Sequence, residues 1–144
     1  MLSMDNLLYL ASKTRLAIVE LTANYGKQIS PLPPYKLSGV CGIASYSLYR
    51  VYREHKYNAK LACGSFKDWP HAFLICDGFI IDITATQFGI FDEVYISKSD
   101  SVNYKVKYIN EQAIESLKRW PVSKQPFQYK EEIDKLLSKY LKHT

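Results

Sequence analysis

Two apolar runs, HAFLIC at 71–76 and FIIDIT at 79–84, meet at Asp77-Gly78, and nothing else in the chain restricts its fold as tightly. An Asp-Gly pair accepts the left-handed backbone of a two-residue turn, so it predicts an antiparallel hairpin. Such a turn pairs Cys76 with Phe79 and sets His71 opposite Thr84. Asp82 then becomes a diagonal neighbour of His71 on one face of the sheet, because side chains repeat every second residue along a strand. A slip of one residue would put the two on opposite faces. Asp82 also interrupts an apolar run. A carboxylate in such a strand is costly to bury without a partner, and a histidine N–H is the natural one.

The remaining pattern predicts what surrounds this hairpin. Residues 4–25 have helical spacing, with Leu7, Leu10, Ala11, Thr14, Ile18, Leu21 and Tyr25 on one face. Asp5 is the expected N-cap and Gly26 the expected stop. Pro31, Pro33 and Pro34 make 27–38 a loop that delivers the chain to Gly39. A second helix is expected over 40–56, with Ala44, Leu48, Val51 and Tyr52 inward. Further strands are expected at 59–65, 93–97 and 103–108, and helices at 110–119 (stopped by Pro121) and 129–142. The expected class is α+β, a single domain over 1–144 with a mainly antiparallel sheet.

Bulk properties narrow the function classes. The net charge is +5, from 19 basic and 14 acidic residues spread along the chain. That spread argues against a nucleic-acid partner. No run approaches the ~20 apolar residues that span a bilayer, so no membrane segment is expected. Three cysteines make an odd count, which argues against a secreted disulfide framework. With no secretory leader recognisable at the N-terminus, a reducing cytoplasm is the expected place of synthesis. Delivery to another cell by a route that needs no signal peptide would leave no trace in the sequence. Cys41, Cys63, Cys76 and His71 contain no Cys-x-x-Cys pair, so neither a metal nor another cofactor is expected. Cys63 and Cys76 fall inside strand patterns and read as core residues. His55 and His143 read as solvated, and Trp120-Pro121 as a helix end closed against the core.

Cys41, in GVCGIAS, falls where the proline-rich loop becomes a helix. A thiol there meets the positive end of the helix dipole, which favours the thiolate. Gly39 and Gly42 keep its surroundings open, and its own N–H can help to hold an oxyanion. Cys41, His71 and Asp82 thus form a nucleophile, a base and an orienting carboxylate in chain order. Trp69, just ahead of His71, is either a wall for substrate or an aromatic that packs the turn.

A cysteine opening a helix, a strand starting His-Ala-Phe and a paired strand carrying Asp-Ile-Thr resemble the papain-like superfamily in its transglutaminase-like branch. The stretch HAFLICDGFIIDITATQFG is similar to the pattern found in bacterial and phage members. The resemblance covers about residues 36–90 and implies a papain-like core over about 36–108, flanked by the helix 4–25 and by helices within 110–142. It implies a helix bearing the cysteine packed on a sheet bearing the histidine and aspartate. Carried over, it makes Cys41 the nucleophile, His71 the base and acid, and Asp82 the orienting group. Thr84 becomes a structural neighbour of Asp82, and Gln87 a brace of the site. Papain-type peptidases carry a glutamine six residues ahead of the cysteine; Tyr35 stands there and its hydroxyl would have to donate instead. The third member is aspartate rather than the peptidases' asparagine. The implied activity is a thiol-dependent hydrolysis or acyl transfer on a peptide bond or a glutamine side chain, with a protein or peptide as substrate, partner or effector target. The alternative is an inactive papain-fold module that only binds.

Overall fold

The computed structural model describes residues 4–25, 40–90, 92–120 and 127–141. Four helices and a five-stranded antiparallel sheet are found among them. The elements are α1 (Met4–Tyr25), α2 (Cys41–Glu54), β1 (Ala59–Phe66), β2 (Trp69–Cys76), β3 (Phe79–Asp82), a 3₁₀ turn (Ala85–Phe88), β4 (Tyr95–Lys98), β5 (Tyr104–Ile109), α3 (Asn110–Leu117) and α4 (Lys130–Leu141). The strands run β4-β3-β2-β1-β5 across the sheet.

The central hairpin has the predicted register, Cys76 opposite Phe79 and Leu74 opposite Ile81. Asp77 and Gly78 carry positive φ at 52° and 80°, as a primed two-residue turn requires. β1 and β2 form a second hairpin, with Phe66 opposite Trp69. Its turn residues, Lys67 and Asp68, take φ of 46° and 70°. With no glycine between them, they give no such signal in the sequence, and β2 starts at Trp69 rather than His71. Strand β3 ends at Asp82, two residues short of the expected end, because the chain leaves the ladder for the 3₁₀ turn.

β4 and β5 are joined by five residues yet lie at opposite edges of the sheet. Flat strands at the usual spacing of ~4.8 Å would set those edges ~19 Å apart, about the limit of such a short connection. The sheet instead curls. Tyr95 of β4 and Tyr104 of β5 stack with ring centroids 6.4 Å apart. A bulge between Cys63 and Gly64 assists, since bulges increase strand twist. Gly64 is required at this point: a Cβ there would stand 1.8 Å from the carbonyl oxygen of Lys105.

The curl gives the sheet two different faces. Its inner face holds Ala62, Phe66, Phe73, Ile80 and Tyr104. Against its outer face pack the helices. Leu7, Leu10, Ile18 and Leu21 of α1 join Leu48 and Tyr52 of α2 and Leu74 and Ile81 of the sheet, with Ile133 and Leu137 of α4 completing the cluster. Asp5 lies within the first turn of α1, where it complements the helix dipole rather than capping the end. Gly26, the proline-rich loop, Tyr35, Gly39, Pro121 and His143 lie outside the described residues. Among the described residues no helix is long and apolar enough to cross a membrane.

Candidate active site

His71 and Asp82 meet on the inner face of the curled sheet. His71 Nε2 lies 2.7 Å from Asp82 Oδ2, and both side chains are fully buried. Asp82 is the last residue of β3, so the backbone that turns away after it can fold back onto the carboxylate. Thr84 N donates to Oδ1 at 2.9 Å, and Thr84 Oγ1 does so at 3.3 Å. Gln87 Nε2 donates to the carbonyl oxygen of Thr84 at 3.1 Å and to Thr84 Oγ1 at 3.3 Å, fixing the residue that fixes Asp82.

Two supports of this pair have no signature in the sequence. Tyr104 donates its hydroxyl to Asp82 Oδ2 at 2.7 Å. It stands on β5, three strands away from β3, and reaches the carboxylate only because the sheet curls. Arg15, buried on α1, donates to the carbonyl oxygen of Ile83 at 2.7 Å and to Thr86 Oγ1 at 3.3 Å. It clamps the segment that follows Asp82 to the first helix. A buried arginine on an amphipathic helix looks, by spacing alone, like any residue at the border of its polar face.

The electrostatics follow from this packing. Burial opposes charge on His71, but the charge of Asp82, the nearby Cys41 and the hydrogen bond to Asp82 outweigh it and raise the proton affinity of the ring. Burial also opposes ionisation of Asp82; the His71 charge and the hydrogen bonds from His71, Thr84 and Tyr104 overcome it and hold the carboxyl below its usual range. Tyr104 is pushed well up, first by burial and then by Asp82, and stays a donor. Aromatic rings screen the pair from water. Phe88 meets the His71 ring edge-on at 4.9 Å, Phe73 lies over it at 6.0 Å, and Phe66 stacks on Phe88 at 4.6 Å.

Cys41 is the first residue of α2, and no side chain caps that helix start at Val40. Valine is a poor cap, so the first amides of the helix are not spent on a capping side chain. Cys41 belongs to a buried cluster with Leu61, Cys63 and Ala72, the last being the chain neighbour of His71. Ser45, one turn along α2, donates to the carbonyl oxygen of Ala72 at 2.9 Å and pins the helix start beside His71. With Nε2 committed to Asp82, Nδ1 is the ring nitrogen left to exchange a proton with Cys41. It is buried and makes no well-aligned hydrogen bond, although Cys41 acts on the charge of the ring.

The other expected participants are distributed as follows. Cys63 is buried, its thiol pushed up to about 12 by burial and by Cys41. Cys76 is buried in the helix-facing core, away from both. Among the described residues no group of three or more His, Cys, Asp and Glu could hold a metal ion. Trp69 is 67% exposed and lines a cleft of about 450 Å³ with Phe66, Lys67, Gln87 and Phe88. His55, half-buried rather than fully solvated, has Nδ1 at 2.8 Å from the carbonyl oxygen of Val51. No family model matches the chain, and neither a curated protein nor a solved structure matches it.

Proposed function

We propose that the chain is a thiol-dependent hydrolase or acyl-transfer enzyme with a papain-like, transglutaminase-like core, acting on a peptide bond or a glutamine side chain. The observation that carries this reading is the buried 2.7 Å contact of His71 with Asp82, on a ring whose charge also responds to Cys41. In the proposed cycle His71 already holds, as an imidazolium, the proton given up by Cys41, and the thiolate attacks the carbonyl carbon. The amides at the start of α2 receive the oxyanion. His71 returns the proton to the departing amine or ammonia, leaving an acyl-enzyme. Water, or an amine, then attacks the acyl carbon with His71 as base and releases Cys41. Asp82, held by Tyr104 and Thr84, keeps the imidazole turned so that Nδ1 serves the sulfur.

The test is mass spectrometry of candidate protein substrates after incubation. A mass gain matching exchange of an amide for an acid identifies deamidation, a broken chain identifies a peptidase, and a cross-link identifies transfer. Cys41→Ala and His71→Ala should each abolish the change while the circular dichroism stays that of the wild type. Collapse of the fold in both variants would make these residues structural and end the proposal.

One observation favours the alternative, a module that binds without chemistry. Cys41 is only 3% exposed, so a substrate must open the site to reach the sulfur. Labelling with iodoacetamide at neutral pH separates the two. A catalytic Cys41 reacts faster than Cys63 and Cys76, whereas equal, slow labelling of all three supports the module.

A further inference from the structure

The cleft on the far side of Phe88 from His71 has a composition that points to its occupant. Phe66 and Phe88 stack to form one wall, and the edge-on contact of Phe88 with His71 makes that wall the wall of the imidazole site as well. A chain lying in the cleft is therefore separated from the His71 ring by the ring of Phe88. Trp69, which follows the Lys67–Asp68 turn, lines the same cleft, and the Lys67 N–H donates to the carbonyl oxygen of Asn103 at 2.9 Å. A large indole left two-thirds exposed on a tied turn is an unfilled apolar surface. Volume and lining suit one side chain with its adjoining backbone. Lys67, its ammonium 5.5 Å from the centre of the Phe66 ring, is the charged residue among those that line the cleft.

We propose that this cleft is the specificity subsite of the protein, and that it takes an aromatic side chain of a peptide with an acidic residue beside it. The proposal rests on the reading of Cys41 as the nucleophile. Three aromatic residues offer edge and face contacts that favour another aromatic ring over an aliphatic one. Lys67 draws a neighbouring carboxylate and repels a cation. Gln87, whose amide holds Thr84, makes the cleft wall and the support of Asp82 one piece, so filling the cleft bears on the triad.

The probes are acetyl-Glu-Phe, acetyl-Glu-Ala and acetyl-Lys-Phe chloromethyl ketones, which alkylate a thiol by bonding its sulfur to the methylene carbon as chloride leaves. Each rate is divided by the iodoacetamide rate of the same protein. Cys41 should react with the Glu-Phe probe about tenfold faster than with the Glu-Ala probe, and faster than with the Lys-Phe probe. Trp69→Ala should remove most of the aromatic preference. Equal rates for the phenylalanine and alanine probes, or a preference that survives Trp69→Ala, would overturn the proposal. In parallel, acetyl-Glu-Phe amide is titrated into a Cys41→Ala, Trp120→Phe protein while Trp69 fluorescence is followed. Saturable quenching there, with a wild-type Cys41 no faster than Cys63 and Cys76 toward iodoacetamide, keeps the subsite and overturns the enzymatic reading. Fast iodoacetamide labelling with neither quenching nor an aromatic preference does the reverse.

Discussion

Asp82 accepts hydrogen bonds from His71, Tyr104 and Thr84 in a place from which water is excluded. Each of those donors favours the carboxylate, and the carboxylate in turn favours the imidazolium. The sign of the pH dependence follows. Asp82 is depressed, so its contribution to stability is present above the usual carboxylate range and is lost as pH falls through the lowered value. His71 is raised to about 10, so its contribution is complete below the ordinary histidine range and disappears as pH rises through about 10. The melting temperature should therefore be highest between these limits. Asp82→Asn should flatten the profile, cost about 3–5 kcal/mol by stranding His71, and slow alkylation of Cys41 at neutral pH. A wild-type profile identical to that of the variant would contradict this account. Tyr104→Phe deletes one donor and leaves the ring in place. It should cost about 1–3 kcal/mol in urea unfolding, with the circular dichroism unchanged.

At the scale of elements, the two hairpins and the bulge decide where these side chains go. The Asp77-Gly78 turn sets the β2–β3 register, and with it the common face of His71 and Asp82. The bulge at Cys63/Gly64 helps to bend β1 so that β5 brings Tyr104 across to β3. Two glycine substitutions separate these contributions. Gly78→Ala places an alanine at φ 80° with open space around its Cβ, a penalty of about 1 kcal/mol. Gly64→Ala drives its Cβ into the Lys105 carbonyl, which belongs to backbone and cannot step aside. It should cost about 3 kcal/mol and lower the melting temperature further than Gly78→Ala does. Equal losses would mean that the β1–β5 pairing tolerates a side chain at position 64.

Over the whole molecule, the site is assembled from parts distant in the chain. Arg15 of α1 holds the segment after Asp82, Ser45 of α2 holds the strand beside His71, and β5 supplies Tyr104. Arg15→Leu strands the Ile83 carbonyl, so amide exchange over 83–88 should accelerate while exchange in β1 and β2 stays close to wild type. Uniform acceleration would make Arg15 a support of the global fold instead. The sequence by itself determined the helices, the central hairpin, its register and the pairing of His71 with Asp82. Those follow from short-range rules: apolar spacing, turn chemistry and the alternation of side chains along strands. It also singled out Thr84 and Gln87, through resemblance to a family pattern. Only the tertiary structure decided the curl of the sheet, the joining of β5 to β1 and the arrival of Tyr104, Ser45 and Arg15. Each of these is a contact between segments far apart in the chain. Their partners are chosen by packing and by the need of buried polar groups for one another, and neither leaves a local periodicity to read.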